Sequence, residues 1–171
     1  MKKLLAVLSL VIISFTAHAE TQVQIIKMLN VKKSVTINAP ADKVWEKISD
    51  FGDMGAWHPA VAKTEIVEGT NNVKGAKRVL TLQDGGKINE TLTAYNPKKR
   101  AMAYMITESV LPVDAYKAII SVRIAEKGQS VVTWGADFKA KAGADDKTAK
   151  DTISSVFDGG LGNLKKLLET M

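Results

Sequence analysis

The chain has 171 residues, a formal net charge of +6 and no cysteine. The lack of cysteine excludes disulfides, thiolate metal sites, c-type haem attachment and cysteine nucleophiles. The positive charge is mild and dispersed along the sequence, which argues against nucleic acid as a partner.

The N-terminus has the pattern of a secretory signal peptide. Lys2 and Lys3 precede an apolar run over residues 4–15, and Ala17 and Ala19 stand just before Glu20, which is the order of a cleaved signal. A membrane anchor is the weaker alternative, because the run has roughly 12 residues and a bilayer span needs roughly 20. We therefore expect cleavage after residue 19, export to the periplasm, no stable membrane insertion, and one domain over residues 20–171.

Histidine content limits the chemistry further. His18 leaves with the predicted signal, so His58 is the only histidine of the mature chain. A multi-histidine metal site is thereby excluded, and a Ser-His-Asp triad would have to use His58. The signatures of nucleophile elbows, P-loops, dinucleotide sites and HExxH zinc sites are also missing. The sequence predicts no metal and no cofactor.

The first elements of the domain are a strand, a short helix and a loop. Residues 31–38 alternate polar and apolar side chains and are rich in β-branched types, which predicts a half-buried strand. Residues 40–50 place apolar side chains at helical spacing after Pro40, which predicts a short amphipathic helix. Residues 51–59 contain two glycines and a proline, which favour a loop or a broken helical turn.

Six further strands are predicted between residues 61 and 140, separated by short turns. Their predicted ranges are 61–68, 76–83, 86–95, 100–109, 115–126 and 129–140. Short connections between neighbours imply antiparallel pairing. The sheet is therefore predicted to be a meander of six strands joined by the N-terminal strand.

A long C-terminal helix is predicted after residue 143, because apolar residues then recur at steps of three and four. The stripe consists of Ile153, Val156, Phe157, Gly160, Leu161, Leu164, Leu167 and Leu168. Three glycines in it, at 159, 160 and 162, each cost up to about 1 kcal/mol against alanine, which indicates a packing or kinking role. The arrangement is α+β, and its simplest form is a curved antiparallel sheet of about seven strands around this helix.

The sequence resembles the START-like (SRPBCC) superfamily, the polyketide cyclase/dehydrase and lipid-transport class that includes the birch allergens. The resemblance covers nearly all of the mature chain and begins at Asn38-Ala39-Pro40-Ala41-Asp42-Lys43-Val44-Trp45. Three narrower segments are similar to the exported MxaD branch of methanol oxidation proteins. They are Trp57-His58-Pro59-Ala60-Val61, Leu111-Pro112-Val113 with Tyr116, and Trp134 with Phe138.

This resemblance implies a helix-grip fold with a hydrophobic cavity between the sheet and the C-terminal helix. For the MxaD branch it also implies an accessory role in methanol oxidation, at the step between methanol dehydrogenase and its cytochrome. Those two proteins are then candidate partners, and a small apolar molecule is the candidate ligand. The fold itself hosts many functions.

Strand alternation predicts which side chains face the interior. The predicted cavity residues are mostly apolar with a few polar members, which is usual for a small-molecule site. The strands contribute Arg78, Leu80, Glu90, Leu92, Tyr104, Ile106, Tyr116, Ile120, Trp134 and Phe138. Phe157 and Leu161 of the helix close the cavity, and the resemblance implies that Trp57, His58 and Pro59 lie at its mouth. Leu82, Ile88, Met102, Val122 and Val132 are predicted to share the inner face.

Arg78 and Glu90 interrupt apolar faces on adjacent strands, and two interpretations stay open. An unpaired buried charge costs several kcal/mol, so the first interpretation is a direct ion pair. In the second they are ligand anchors or acid–base groups, because related plant enzymes place arginine, glutamate and tyrosine in the cavity. Arg78, Glu90 and Tyr104 are then catalytic candidates.

His58 and a basic turn each have two interpretations as well. His58 could transfer protons at the cavity mouth, since its ordinary pKa is near 6.5, or simply hydrogen-bond nearby backbone. Its neighbours Trp57 and Pro59 are predicted as gate residues, with core packing as the alternative for Trp57. The turn Lys98-Lys99-Arg100 is either a solvated loop or a dock for an acidic partner.

Three functions therefore follow as hypotheses. The first is a non-enzymatic periplasmic accessory or ligand-binding protein. The second is a small cyclase or isomerase, and the third is a periplasmic lipid carrier.

Overall fold

The computed structural model describes residues 27–126 and 128–170. The predicted signal peptide, residues 1–19, lies outside the described residues. Within them the chain forms seven strands, two α-helices and two short 3-10 helices, Met54–Ala56 and Pro97–Lys99. The strands are β1 Leu29–Ile37, β2 Val61–Glu68, β3 Lys77–Leu82, β4 Lys87–Asn96, β5 Ala101–Ser109, β6 Val113–Ile124 and β7 Ser130–Ala140; the helices are α1 Ala41–Ile48 and α2 Asp146–Glu169.

All seven strands pair antiparallel in one sheet of order β1-β7-β6-β5-β4-β3-β2. Strands β2 to β7 follow one another as a meander, and β1 joins by pairing with β7. The predicted α+β helix-grip architecture is confirmed, and so is the meander of six strands with an added N-terminal strand. Short turns account for it, because each lets the next strand fold back beside the last.

Helix α2 packs its apolar stripe against β1 and β7. The Asp145 side chain accepts a hydrogen bond from the Thr148 backbone N–H and caps the first turn, as an N-cap residue does. Ile153, Phe157 and Leu164 are fully buried. The Phe157 ring stacks on the Trp134 indole of β7 with centroids 4.3 Å apart. The helix is therefore fixed over one half of the sheet.

Strand β6 begins earlier than the predicted residue 115 and contains a bulge. The pairing register with β7 shifts between Asp114 and Lys117, and Ala115 has a φ of 51°. A bulge adds one residue to a strand, so the in-and-out alternation of its side chains shifts by one position. The bulge therefore leaves Tyr116 pointing into the core, where it is 4% exposed.

In the part of the chain that the structure describes, neither helix combines the length and the apolar character needed to cross a bilayer.

Candidate functional site

An ion pair lies at the centre of the domain. Arg78 of β3 and Glu90 of β4 are directly opposed in the register. Arg78 Nε donates to Glu90 Oε2 at 2.6 Å, and both residues are 4% exposed. The direct pair predicted from the two interrupted apolar faces therefore forms.

The rest of the Arg78 guanidinium is held by the loop after α1. Its Nη1 donates to the Phe51 carbonyl at 2.6 Å, and its Nη2 lies 3.4 Å from the Met54 sulfur. Its Cζ lies 4.0 Å from the centroid of the Phe51 ring and 5.3 Å from that of the Tyr104 ring, within the range of cation–π attraction. Every nitrogen of Arg78 thus has a partner, so the residue acts as a fixed cation beside Glu90.

A small internal cavity of about 70 Å³ lies beside this pair. Its walls come from the sheet, from α2 and from the loop after α1. The lining residues are Met54, His58, Ala60, Val61, Leu80, Leu82, Ile88, Glu90, Tyr104, Ile106, Leu111, Tyr116, Trp134, Ile153 and Val156. Glu90 and His58 are the two residues of that wall with an acidic or basic side chain.

Burial shifts the protonation of the cavity's titratable groups. It raises the pKa of Glu90, while the neighbouring Arg78 opposes the shift, because a low dielectric disfavours charge and an adjacent cation favours it. Burial also raises the pKa of Tyr104 and Tyr116, and the Glu90 charge adds to both shifts. Both phenols therefore stay protonated at neutral pH. Tyr104 Oη accepts a hydrogen bond of 2.8 Å from Trp134 Nε1.

His58 is a buried connector between the loop and α2. Its Nδ1 accepts from the Ala60 N–H at 3.2 Å, so the ring proton lies on Nε2, which donates to the Val156 carbonyl at 3.0 Å. Burial is the main cause that lowers its pKa, and the Arg78 charge adds to it. Asn163 of α2 binds the Trp57 carbonyl at 2.9 Å. The loop is therefore tied to α2 at two points.

The predicted cavity residues divide into four groups. Seven line the cavity: His58, Leu80, Glu90, Tyr104, Ile106, Tyr116 and Trp134. Three lie one layer away around a void of about 10 Å³: Trp57, Arg78 and Ile120. Leu92, Phe138, Phe157 and Leu161 are packed in the core instead, and Pro59 is exposed.

Not every residue of the predicted cavity set borders the void. Alternation separates the two faces of a strand, but it cannot separate a side chain that fills the core from one that borders a void. Trp57 is 5% exposed and lies 5.5 Å, centroid to centroid, from Trp134. The core-packing alternative for Trp57 therefore holds.

Several lining residues were missing from the predicted site. Leu82 and Ile88 were assigned to the inner face, and Ile153 and Val156 belong to the apolar stripe of α2, so pattern signals existed for these four. Met54, Ala60 and Leu111 lie on connections, where no periodicity marks the buried side. Only the tertiary fold brings them to the cavity.

The basic turn is solvated on one side and paired on the other. Lys98 and Lys99 are exposed. Arg100 Nε donates to Asp42 of α1 at 2.6 Å. Arg100 thus connects the turn to α1, and the two lysines remain the free cations of this turn.

A larger hollow of about 710 Å³ lies on the outer face of the sheet, away from α2. Ala103, Ile119 and Gly135 lie across its floor, and Lys32 and Lys117 lie among its lining residues. It is an open surface depression, and the buried ion pair does not face it. Among residues 27–126 and 128–170, no cluster of acidic and histidine side chains has the arrangement of a metal site.

Known proteins share this sequence pattern and fold. The family described as polyketide cyclase / dehydrase and lipid transport matches residues 28–169. No curated protein matches the sequence. Among solved structures, the protein XoxI from Bacillus cereus is 26% identical, with a TM-score of 0.76 over 82% of this chain and 95% of that chain.

Two further structures extend the comparison. A putative uncharacterized protein from Bacillus thuringiensis is 27% identical, with a TM-score of 0.76 over 82% of this chain and 99% of that chain. Ara h 8.0201 is 17% identical, with a TM-score of 0.71 over 85% of this chain and 100% of that chain. At that identity the likeness concerns the fold alone.

Proposed function

Since the chain belongs to the polyketide cyclase / dehydrase and lipid transport family, we propose that it binds a small apolar molecule between the sheet and α2. The observation that carries this proposal is the internal cavity, whose walls are apolar apart from Glu90, His58 and two tyrosines. A mostly apolar wall with a few oriented polar groups is the usual make-up of a ligand site.

The size of the cavity limits the ligand. Its volume of about 70 Å³ is well below the roughly 300–1,000 Å³ of drug-sized ligand pockets. A long-chain lipid would require the cavity to expand, which counts against the lipid-carrier hypothesis. Leu82, Ile106, Leu111 and Val156 are only half-buried, so one edge of the cavity is an apolar rim close to the surface.

Native mass spectrometry of the protein isolated from its host tests ligand binding. We expect a stoichiometric small molecule that denaturing conditions release, and its mass identifies the ligand class. A protein that arrives bare, and that no small apolar compound subsequently loads, contradicts the proposal.

We also propose that the chain is exported to the periplasm and cleaved after Ala19. The support is the order of basic, apolar and small residues over positions 1–19. The intact mass of the protein recovered from a periplasmic extract tests this, together with its first residue, which we expect to be Glu20. Recovery of the uncleaved chain in the cytoplasm would overturn it.

The finer proposal is an accessory role in methanol oxidation, between methanol dehydrogenase and its cytochrome. It rests on the resemblance of Trp57-His58-Pro59 and Leu111-Pro112-Val113 to the MxaD branch. The small cavity also favours docking of a partner over transport of a bulky ligand. The exposed Lys98 and Lys99 offer an acidic partner two free cations, which would raise the association rate.

Co-purification with methanol dehydrogenase and its cytochrome tests this role. We expect Lys98→Glu to weaken the complex and reduce its salt dependence, because a cation at the rim of an interface acts mainly on association. Lys74→Glu, on an exposed loop residue elsewhere, is the matched control with the same change of charge. Equal effects of the two substitutions would contradict docking at the basic turn.

A cyclase or isomerase is the second candidate function. One observation favours it: Arg78, Glu90 and Tyr104, the three predicted proton-transfer residues, meet beside the cavity. Glu90→Gln separates the two functions, because it should abolish turnover in an enzyme and leave partner docking nearly unchanged. Circular dichroism of the variant verifies that it folds.

A further inference from the structure

Strands β5 and β6 separate before they reach the turn that joins them. Their pairing covers only Ala101–Met105 with Lys117–Ser121, although both strands extend beyond it. Within the described chain, residues 106–109 of β5 and 113–116 of β6 make no ladder pairs with each other. We call the space between these two segments the β5–β6 gap.

The gap is part of the sheet's construction, because each segment is held by its other neighbour. Glu108 and Ser109 pair with β4, and Val113 and Asp114 pair with β7. The bulge of β6 includes Ala115, whose φ is 51°, and a bulge bends the strand that contains it. A bend at this position accounts for the separation of β6 from β5, so the gap is not a frayed end.

A hollow of about 180 Å³ occupies the gap. Thr107, Glu108 and Asp114 are exposed residues of its wall. Ile106 and Tyr116 line this hollow and also line the internal cavity. The surface hollow and the cavity therefore lie on opposite sides of the same two residues.

Passage through the gap breaks fewer contacts than passage over the apolar rim. Beside the rim, His58 binds the Val156 carbonyl and Asn163 binds the Trp57 carbonyl, so moving the loop away from α2 breaks hydrogen bonds. The described segments of the gap have no ladder bonds to break, and Ile106 is half-buried. A change of side-chain rotamer is also faster than a collective movement of packed elements.

We propose that the β5–β6 gap is the entrance of the internal cavity, and that Ile106 and Tyr116 are the side chains that a ligand passes. This rests on the proposed ligand-binding function and adds the route by which the ligand arrives. An entrance acts on the rates of binding and release. It leaves the affinity unchanged, because it contacts the ligand in neither the free nor the bound state.

Single thiols test the route, because the chain has no cysteine of its own. Asp114→Cys puts a thiol on the exposed wall of the hollow, and a bulky maleimide attached there obstructs the gap. Ala60→Cys is the matched control, since Ala60 is exposed and borders the cavity from the loop after α1. Each variant is compared with and without its label, and circular dichroism verifies that it folds.

Ligand exchange is followed by NMR line shapes of the Trp134 indole N–H during titration with 1-chloropropane, a small apolar compound. We expect the label at position 114 to lower the association and dissociation rates by about tenfold or more and to leave Kd unchanged. The label at position 60 should leave both rates unchanged. A merely structural disturbance at position 114 would change Kd instead.

The outcomes separate the entrance from the proposed ligand-binding function. Slower exchange with the label at position 60 and not at position 114 would overturn the gap as the entrance. Equal slowing by both labels, slowing by neither, or a changed Kd with the label at position 114 would overturn it as well. In all these cases 1-chloropropane still binds, so ligand binding stands. If the compound binds to none of the unlabelled proteins, the proposed function fails and the entrance fails with it.

Discussion

Glu90 and Arg78 depend on each other because both are removed from water. A buried ion pair gains Coulomb attraction but loses the hydration of two charges, so its net contribution to stability is small. Loss of one partner is different, because the other charge then stays buried alone. We therefore expect the pair to specify the pairing of β3 and β4 more than it stabilises the domain.

Single and double substitutions at this pair test that account. Glu90→Leu alone should lower the free energy of unfolding by about 3–5 kcal/mol, since it leaves Arg78 unpaired. Arg78→Met with Glu90→Leu should cost far less than the single change, because both charges are gone. Urea unfolding of the three proteins measures the difference, and a double variant less stable than Glu90→Leu would contradict it.

His58 makes the stability of the domain depend on pH. Burial lowers the pKa of His58 below the 6.5 of a free histidine, so the unfolded chain binds the proton before the folded chain does. The stabilisation is present above pH 6.5 and is lost as the pH falls towards the folded pKa. Protonation would also remove the lone pair that accepts from the Ala60 N–H.

We expect the free energy of unfolding to fall by up to about 1.4 kcal/mol per pH unit below pH 6.5 on account of His58. His58→Gln is the control, because an amide does not titrate in this range. Urea unfolding from pH 8 to pH 5 measures the free energy of unfolding of both proteins. Subtracting one curve from the other cancels the contributions of the other titratable groups. A difference independent of pH would show that His58 does not carry the effect.

Helix α2 contains three glycines with different surroundings. A Cβ at Gly160 would lie 2.5 Å from His58 Cδ2 and 2.9 Å from Trp134 Cζ3, both on buried rings. A Cβ at Gly159 or Gly162 would meet nothing within 4 Å. The packing role expected of the glycines thus applies to Gly160, which lets the loop histidine approach the helix.

Alanine substitution should therefore act in opposite directions along this helix. Gly159→Ala should stabilise the protein by about 0.5–1 kcal/mol through helix propensity. Gly160→Ala should destabilise it by about 1–3 kcal/mol, because overpacking outweighs the same gain in propensity. Thermal unfolding compares the two variants, and equal stabilisation by both would contradict the close approach of His58.

The cavity arises from the whole molecule, since a curved sheet and one helix do not fill all the space between them. Val156 of α2 borders that space and is half-buried. A larger side chain there would fill the void, and filling a void is a common route to higher stability. Any ligand would then compete with the protein's own side chain.

Two substitutions of Val156 should separate stability from binding. Val156→Leu should raise the free energy of unfolding by about 0.5–1 kcal/mol and weaken ligand binding. Val156→Ala should lower it by about 1–2 kcal/mol through lost burial and leave the ligand room to bind. Thermal unfolding measures the stability, and an NMR titration with a small apolar compound measures the affinity. Parallel changes in stability and affinity would contradict the cavity as the binding site.

Most of the fold could be predicted because its signals are local. Alternation of polar and apolar side chains indicates a strand, and apolar side chains at steps of three and four indicate a helix. Both signals are independent of the rest of the molecule. Glycine and proline at the turns then imply antiparallel neighbours. The bulge at Ala115 escaped this logic, because it depends on how β6 must bend against β7.

The site was predictable only in part. The faces of β3 and β4 identified Arg78 and Glu90, since a charge on an apolar face requires a partner. The volume of the cavity and the connections that border it were decided by the tertiary structure. Leu92 fills the core, whereas Leu80 borders a void. This difference depends on packing between elements that are distant in sequence, and no local sequence pattern encodes it.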